Sequence, residues 1–524
     1  MSSHMTEKQL RSITTLGGLR RAGITVDSVK EEMRRNLIAK LHAGERLFAG
    51  IIGYDDTVVP AIVNAVLARH DMLLLGLRGQ AKTRIVRMLP TLLDPWVPIV
   101  RNSEVNDNPF APISKHGMDL VAECGDDTEI EWIPAEQRYA EKLATPDVTI
   151  ADLIGDIDPI KAAAQRLHYA HEGAIHFGLI PRTNRGVFAI NELPDLQPRI
   201  QVGLFNIMQE KDIQIRGFNV RIPLDVMMVF TANPEDYTNR GSIITPLKDR
   251  IDSQILTHYP ERLDDAVAIT AQEAWIERDG RRVVLPRFFR DIVEHIAFEA
   301  RESEFVDQRS GVSARLTISA LENLVSNAER RALMHGDDVV APRVSDLLRL
   351  LPAMTGKMEL VYEGEQEGPV KVSKLLIGKA VRAVFGGMFP EPGAKKGARG
   401  SRGERSRGEE ALHAARADES APSVYAELIA WFDHGGRVEL RDDMPFADYA
   451  AALHAVPGLA ELVRTHIADV AADEHALAAA MEFVIDGLHQ HSRLARHEGH
   501  GAIAYRDMLG TLFTMSAPDE DEEL

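Results

Sequence analysis

The chain has 524 residues, of which 45% are apolar and 27% are charged, and its formal net charge is −19. The length allows several domains, and the acidic balance argues against broad electrostatic binding to nucleic acid or to anionic membranes. No apolar run approaches the roughly 18 residues of a membrane span, so we expect no membrane partner. The single cysteine, Cys124, excludes a disulfide framework within one chain and fits the reducing cytoplasm.

Composition and hydrophobic periodicity divide the chain into six segments. An arm and a helix over 1–45 precede short apolar runs that alternate with helical stretches over 46–258, the pattern of a parallel sheet covered by helices. Then follow a helical segment over 259–388, a Gly-, Arg- and Ser-rich flexible linker over 389–423, an Ala-rich helical segment over 424–515 and an acidic tail over 516–524. The predicted fold class is α/β, with a separate C-terminal all-α segment.

A phosphate-binding loop is predicted between the apolar strand at 72–75 and the helical stretch that follows it. The template is G-x-x-x-x-G-K-[ST], and its last glycine is replaced here by Ala81. In such loops, backbone N–H groups meet the β-phosphate of ATP, the lysine neutralises β- and γ-oxygens, and the hydroxyl of the last residue binds Mg²⁺. The residues expected to bind ATP are Gly76, Gly79, Gln80, Ala81, Lys82 and Thr83, with Thr83 also on Mg²⁺.

A second apolar strand, at 186–190, ends in Asn191 and Glu192. In a P-loop ATPase one acidic residue at this place orients the Mg²⁺ shell and the next positions the attacking water. Glu192 lies where the water-activating base belongs, whereas Asn191 replaces the Mg²⁺-orienting aspartate. Because an amide oxygen carries no charge, this substitution is expected to weaken Mg²⁺ handling.

These two motifs, with what lies between and after them, resemble AAA+ ATPases of the helix-2-insert clade. The loop form Gly-x-x-Gly-x-Ala-Lys-Thr is usual in MoxR proteins, and the stretches at 153–158 and 178–180 are similar to magnesium-chelatase ATPase subunits. Residues 201–223 resemble the helix and β-hairpin that precede sensor 1 in this clade, with the hairpin turn around Arg216, Gly217 and Phe218. The resemblance covers roughly 45–385 and implies a P-loop AAA+ core followed by a helical lid over 259–388.

The resemblance also assigns three polar residues beyond the acidic strand. Asn233, after the strand at 226–231, matches sensor 1, which holds the lytic water or the γ-phosphate. Arg250, in a stretch similar to Leu-x-Asp-Arg-Phe, is the candidate arginine finger for the nucleotide of the next subunit. Arg315 matches sensor 2 and would report the nucleotide state to the lid. In the lid we predict a helix that opens at Pro286 and others at 317–334 and 372–385.

Two other patterns do not lead to a function. The pair His171 and His176 invites a zinc-protease interpretation, but that motif needs histidines at i and i+4 on one helical face, and these are at i and i+5. The Thr-Gly-Ala loops that are typical of sigma-54 activators are absent. We assign no metal other than the Mg²⁺ that accompanies ATP.

The resemblance implies an ATP-binding and ATP-hydrolysing motor that forms a homo-oligomeric, hexameric ring in the cytoplasm. Such MoxR-like chaperones act on a partner protein, often one with a von Willebrand A domain. Two alternatives stay open. Asn191 motivates a nucleotide-dependent assembly scaffold with little turnover, and the motor sequence does not separate a remodeller from a magnesium-chelatase-type metal-insertion motor.

Overall fold

The computed structural model describes residues 6–158, 160, 174–215, 221–234, 242–392, 424–499 and 501–508. The chain forms two compact units, Met1–Pro260 and Glu261–Leu524. The predicted hairpin turn at 216–218, residues 393–423 of the predicted linker, His171 and the acidic tail lie outside the described residues. No helix in the described ranges is long and apolar enough to cross a membrane.

The first unit mixes helices with short strands. Its α-helices are Glu7–Arg11, Leu16–Arg21, Val29–His42, Val58–Leu67, Lys82–Met88, Lys115–Cys124, Ile150–Leu153, Leu179–Arg182, Pro198–Gly203, Phe205–Gln209 and Thr245–Lys248. Its strands are Met72–Leu75, Trp96–Val100, Ile130–Pro134, Tyr139–Leu143, Gly155–Ile157, Ile175–Phe177, Gly186–Asn191, Asp212–Gln214, Arg221–Pro223, Val226–Ala232 and Ser253–Leu256. Its 3₁₀ turns are Leu89–Leu92, Gly125–Asp127, Ala135–Arg138 and Leu193–Asp195.

A five-stranded parallel sheet organises this unit, as the alternation of apolar runs and helical stretches predicts. The strand order is Ser253–Leu256, Met72–Leu75, Val226–Ala232, Gly186–Asn191 and Tyr139–Leu143. Of the three inner strands, Gly186–Asn191 and Val226–Ala232 are buried along their whole length, which explains their continuous apolar sequences. All five strands run in one direction, so their carboxyl ends meet at one edge, called here the carboxyl edge.

The two faces of the sheet carry separate apolar cores. Val187 and Ala189 point to the core that holds the helices Val29–His42 and Val58–Leu67, and Phe188 and Ile190 point to the opposite core. This assignment follows from the alternation of side chains along a strand. Two small hairpin pairs lie beside the sheet, one of Gly155–Ile157 with Ile175–Phe177 and one of Asp212–Gln214 with Arg221–Pro223. The strands that flank the predicted hairpin turn therefore do pair.

The second unit is mainly helical. Its α-helices are Leu263–Glu273, Arg287–Glu302, Ala314–His335, Leu351–Thr355, Tyr362–Glu367, Pro369–Met388, Ala426–Asp433, Phe446–His454, Leu459–His466 and Glu474–Gln490, with 3₁₀ turns Val344–Leu350 and Ala468–Val470. Its strands are Arg282–Val283, Val339–Val340, Val438–Arg441, Ala495–Gly499 and Ala502–Arg506. The three predicted lid helices are present, with Pro286 immediately before the first of them.

The residues after the linker differ from the expected separate all-α segment in two respects, which corrects that part of the predicted fold class. Three of the strands form an antiparallel sheet, in the order Val438–Arg441, Ala502–Arg506 and Ala495–Gly499. The long C-terminal helix also shares one apolar core with the lid, where Phe483 stacks on Phe288 at 4.7 Å between ring centroids. The strands are short and partly exposed, so their sequences lack a distinct apolar alternation.

A buried carboxylate ties this C-terminal helix to the lid. Glu482, fully buried, accepts hydrogen bonds from the backbone N–H groups of Val344 (2.8 Å) and Ser345 (2.9 Å), at the start of the 3₁₀ turn Val344–Leu350. The hydroxyl of Tyr449 donates to the same carboxylate at 2.7 Å. Burial raises the pKa of Glu482. These bonds hold lid and C-terminal segment in one compact unit.

In the first unit, one ion pair is removed from solvent altogether. Arg138, whose side chain is 0% exposed, donates from Nη1 and Nη2 to the two carboxylate oxygens of Glu32, each at 2.7 Å. Its Nε donates to the backbone oxygen of Arg185 at 2.8 Å. The pair fastens the helix Val29–His42 to the start of two sheet strands, and it cannot be broken without leaving a buried charge.

We expect Glu32→Gln to lower the free energy of unfolding by about 3 kcal/mol, because the Arg138 charge then stays buried without a counter-charge. Glu31→Gln is the matched control, since Glu31 pairs with Arg69 on the surface and its loss is expected to cost about 0.5 kcal/mol. Urea unfolding followed by circular dichroism measures both variants. Equal losses would contradict the importance of the buried pair.

Candidate functional site

The sheet brings the predicted phosphate loop, acidic strand end and sensor-1 residue to one place. The phosphate-loop strand lies directly beside the strand that precedes Asn233, with Leu75 opposite Ala232. That strand in turn lies beside the one that ends in Asn191, with Phe230 opposite Ile190. Because all three strands are parallel, the residues that follow them meet at the carboxyl edge, where α/β proteins place their ligands.

The phosphate loop has the backbone shape that its glycines predict. Gly79 has φ of +75°, and Ala81 has φ of +57° although it is not a glycine. A left-handed alanine costs about 1 kcal/mol, so the loop holds this conformation against a local preference. At Gly76 a Cβ atom would come within 2.0 Å of Thr257 Oγ1, which leaves room only for glycine.

The Lys82 ammonium lies inside the curve of this loop. The residue is 7% exposed, and its Nζ donates to the backbone oxygen of Leu77 at 2.9 Å and to Asn233 Oδ1 at 2.7 Å. It also contacts the backbone oxygen of Gly76. The cation is therefore held at the carboxyl edge, where ATP phosphates would meet the loop.

Asn233 links Lys82 to the acidic strand end. Its Nδ2 donates to Glu192 Oε2 at 2.7 Å, so the three side chains form one hydrogen-bonded chain. Glu192 has φ of +56°, and its backbone N–H donates to Thr231 Oγ1 at 3.1 Å. A strained backbone conformation of this kind persists where surrounding contacts hold it in place, often at functional sites. The carboxylate is thereby aimed at the residue expected to act as sensor 1.

The oxygen donors at this edge fit a Mg²⁺ ion that arrives with ATP. Thr83 lies in the first turn of the helix Lys82–Met88 and is partly exposed. Asn191 is 8% exposed, and its Oδ1 accepts a hydrogen bond from Thr231 Oγ1 at 3.3 Å. Hydroxyl, amide and carboxylate oxygens are the ligands that Mg²⁺ takes beside nucleotide phosphates.

Two tyrosines support the loop from outside the motif, and sequence reasoning missed them. The Tyr54 hydroxyl donates to the backbone oxygens of Gln80 (3.0 Å) and His258 (2.7 Å), and the Tyr259 hydroxyl donates to that of Arg78 (2.9 Å). Burial raises the pKa of Tyr54 to about 12, so its hydroxyl stays a donor at neutral pH. No motif spacing marks these residues, because they reach the loop from distant parts of the chain.

The candidate arginine finger is not part of this cluster. The Arg250 guanidinium donates to Gln209 Oε1 at 2.9 Å from Nη2 and 3.1 Å from Nε, and to the backbone oxygen of Pro246 at 2.7 Å. It also lies over the Phe205 ring, 4.8 Å from the centroid. Arg250 is therefore fixed on the helix Phe205–Gln209, which leads into the hairpin strand Asp212–Gln214.

Arg315 lies in the second unit, exposed in the first turn of the helix Ala314–His335. Its backbone N–H donates to the capping hydroxyl of Ser313 at 3.1 Å. The phosphate loop belongs to the first unit, so the sensor-2 role of Arg315 remains a prediction.

Comparison with known proteins points to the same class of protein as the geometry of the site. The family model that matches is the Sigma-54 interaction domain, over residues 168–254, which include the acidic strand and the sensor-1 strand. An archaeal Lon protease from Methanothermobacter thermautotrophicus is 30% identical over 210 residues, 36% of this chain and 30% of that protein. The magnesium-chelatase 38 kDa subunit of Cereibacter sphaeroides is 25% identical over 233 residues, 44% of this chain and 64% of that protein.

The matched region thus spans less than two thirds of each of these relatives. The match to a solved complex of the magnesium-chelatase subunits BchI and BchD covers 61% of this chain and 98% of the matched chain of the complex. The two are 20% identical, with a TM-score of 0.32. The assignment therefore rests on the sequence relatives and on the order of the motifs along the sheet. Sigma-54 interaction domains are themselves AAA+ domains, so that match agrees with the others. These matches and the motifs support an AAA+ ATPase that is magnesium-chelatase-like, an ATP-hydrolysing P-loop NTPase.

Proposed function

We propose that this protein is an ATP-driven ring motor that binds and hydrolyses ATP between neighbouring subunits and remodels a partner protein. The observation that carries the proposal is the hydrogen-bonded chain of Lys82, Asn233 and Glu192 at the carboxyl edge. A phosphate-binding cation, a polar sensor and a water-activating base are three of the groups that carry out phosphoryl transfer to water, beside Mg²⁺ and an arginine finger.

In the proposed reaction, Lys82 exchanges its loop carbonyls for β- and γ-phosphate oxygens and neutralises their charge. Glu192 accepts a hydrogen bond from the attacking water and orients it toward the γ-phosphate. Asn233, which bonds both side chains, registers whether the γ-phosphate is present. Mg²⁺, when bound beside Thr83 and Asn191, supplies neutralising charge to the β- and γ-phosphates.

The position of Arg250 supports a ring. Its guanidinium contacts Gln209 and Phe205 rather than Lys82, Asn233 or Glu192, as suits a residue that serves the next subunit. A head-to-tail interface of this kind closes into a ring when the rotation permits, and we propose a hexamer. The proposed compartment is the cytoplasm, in line with the single cysteine.

A buried carboxylate offers a path from the nucleotide to the pre-sensor hairpin. Asp71 immediately precedes the phosphate-loop strand, is 0% exposed, and accepts a hydrogen bond from the backbone N–H of Met228 at 2.9 Å. It also pairs with Lys30 (2.7 Å) and with Lys211 (3.0 Å), which lies at the base of the hairpin strand Asp212–Gln214. Movement of the phosphate-loop strand or of the sensor-1 strand would therefore displace the hairpin, and the hairpin would act on the partner.

The partner is proposed to be a protein, in the MoxR manner one with a von Willebrand A domain. Two other functions each have one observation in their favour. Asn191 in place of an acidic residue favours a scaffold that assembles on ATP with little turnover. The likeness to a magnesium-chelatase subunit favours a motor for metal insertion.

Steady-state ATP hydrolysis by the full chain tests the motor directly. We expect wild type to turn over, Lys82→Ala to lose nucleotide binding, and Glu192→Gln to bind ATP while its kcat falls about a hundredfold or more. Glu136→Gln, an exposed carboxylate of the same unit, is the matched control and should behave as wild type. Binding without turnover in wild type would replace the motor by the scaffold.

Mixing inactive subunits tests whether Arg250 acts across an interface. Arg250→Ala and Glu192→Gln are each expected to be inactive alone, because each spoils every site of its own ring. In an equal mixture about a quarter of the interfaces combine an intact Glu192 with an intact Arg250, so hydrolysis should return. If Arg250 serves its own subunit, the mixture stays inactive.

A further inference from the structure

A second carboxylate lies beside Asn191, on the outermost strand of the sheet. The strand Tyr139–Leu143 pairs with Gly186–Asn191 so that Glu141 is opposite Ala189 and Leu143 is opposite Asn191. Side chains alternate along a strand, so Glu141, Ala189 and Asn191 share one face. Glu141 is the diagonal neighbour of Asn191 on that face, a spacing that long side chains span.

Glu141 accepts hydrogen bonds from two side chains. The Arg87 guanidinium donates from Nε at 3.0 Å and from Nη2, and the Tyr139 hydroxyl donates to Oε2 at 2.7 Å. Asn191, on the same face of the sheet, also helps to lower the pKa of Glu141. The hydrogen bond from Arg87 is the largest cause that lowers the pKa of Glu141, so the carboxylate is ionised at neutral pH.

The Thr231 hydroxyl fixes the direction of the Asn191 amide, because Asn191 Oδ1 accepts from Thr231 Oγ1 at 3.3 Å. The Glu141 carboxylate lies on the same face of the sheet and disfavours an amide oxygen turned toward it, because two acceptors facing each other repel. The oxygen therefore stays on the side of Thr231, the residue that also binds the Glu192 backbone.

The same carboxylate holds the helix that presents Thr83. Arg87 lies four residues after Thr83, so the two side chains stand one turn apart on the same face of the helix Lys82–Met88. The Arg87 pair with Glu141 thus sets the rotation of that helix against the sheet. One acidic group beside the phosphate loop governs both oxygen donors expected to face Mg²⁺.

We infer that Glu141 is a positioning residue for the Mg²⁺ side of the site and supplies, from the neighbouring strand, the negative charge that Asn191 lacks. The inference rests on the proposed binding of ATP with Mg²⁺. It explains how an amide can stand where an aspartate is expected: a carboxylate is still present on the neighbouring strand, where it shares a face with Asn191 and holds the helix of Thr83 through Arg87. Partners of metal ligands with this role tune metal affinity without touching the metal.

A purely structural role for the Arg87 and Glu141 pair predicts something different. Arg87 is 60% exposed at its side chain, so the pair alone contributes modestly to stability. Such a role would change the melting temperature of Glu141→Gln but not the Mg²⁺ requirement of nucleotide binding. Mg²⁺ dependence is therefore the readout that separates the two roles.

The experiment measures binding of a fluorescent ATP analogue to the full chain, in EDTA and across a Mg²⁺ titration. Glu141→Gln should leave binding in EDTA unchanged and raise the Mg²⁺ midpoint about tenfold. The swap Glu141→Gln/Asn191→Asp returns the charge to the strand end and should restore most of the wild-type midpoint. Asn191→Asp alone places two carboxylates close together, so its melting temperature should be lower than those of wild type and of the swap. Glu136→Gln is the charge-matched control.

A Glu141→Gln midpoint equal to that of Glu136→Gln would overturn the inference, whatever the melting temperature, and would leave the proposed function standing. A swap whose Mg²⁺ midpoint equals that of Glu141→Gln would also overturn the inference, because a charge returned at position 191 would then have no effect. If wild type binds no ATP analogue with or without Mg²⁺, the proposed function fails and the inference fails with it. Circular dichroism establishes that each variant is folded.

Discussion

The hydrogen bonds from Lys82 to Asn233 and from Asn233 to Glu192 are the contacts on which the account of this site depends. They join three parts of the chain that are far apart in sequence, and each follows a different strand of one parallel sheet. The parallel direction of the strands is what makes the meeting possible, since it brings their carboxyl ends to one edge. The strained left-handed backbone at Ala81 and at Glu192 aims the loop and the carboxylate into that edge. Packing of both sheet faces then holds these conformations against their local cost.

The surroundings of this chain couple it to the rest of the first unit. Tyr54 and Tyr259 bind backbone oxygens of the phosphate loop from one side. On the other side, Glu141 binds Arg87 of the helix that follows the loop. At the opposite edge of the sheet, Asp71 connects the phosphate-loop strand to Lys211 at the base of the hairpin. We propose that a change in what Lys82 binds reaches the hairpin through the packed strands and through the ion pair between the buried Asp71 and the half-exposed Lys211.

Sequence predicted those parts of the fold that depend on local pattern. The inner strands were recognisable because they are buried on both faces and read as unbroken apolar runs. Lys82, Glu192 and Asn233 were predicted as site residues because each stands at a fixed offset from such a strand, and the structure brings their side chains into contact. Tyr54, Tyr259 and Glu141 were missed because their roles come from tertiary contacts that no spacing encodes. The sheet of the C-terminal segment was missed because its strands are short. The core shared by lid and C-terminal helix depends on buried groups such as Glu482, whose backbone partners Val344 and Ser345 lie more than a hundred residues away.

We propose that Lys82, Asn233 and Glu192 act as one unit on ATP. A double-mutant cycle of steady-state ATP hydrolysis tests it most directly, with Asn233→Ala, Glu192→Gln and the two changes together. If the residues act as a unit, the double variant loses about as much kcat as the worse of the two single variants, because either change alone already disables the unit. Losses that multiply in the double variant would mean that Asn233 and Glu192 act independently, and would contradict the account.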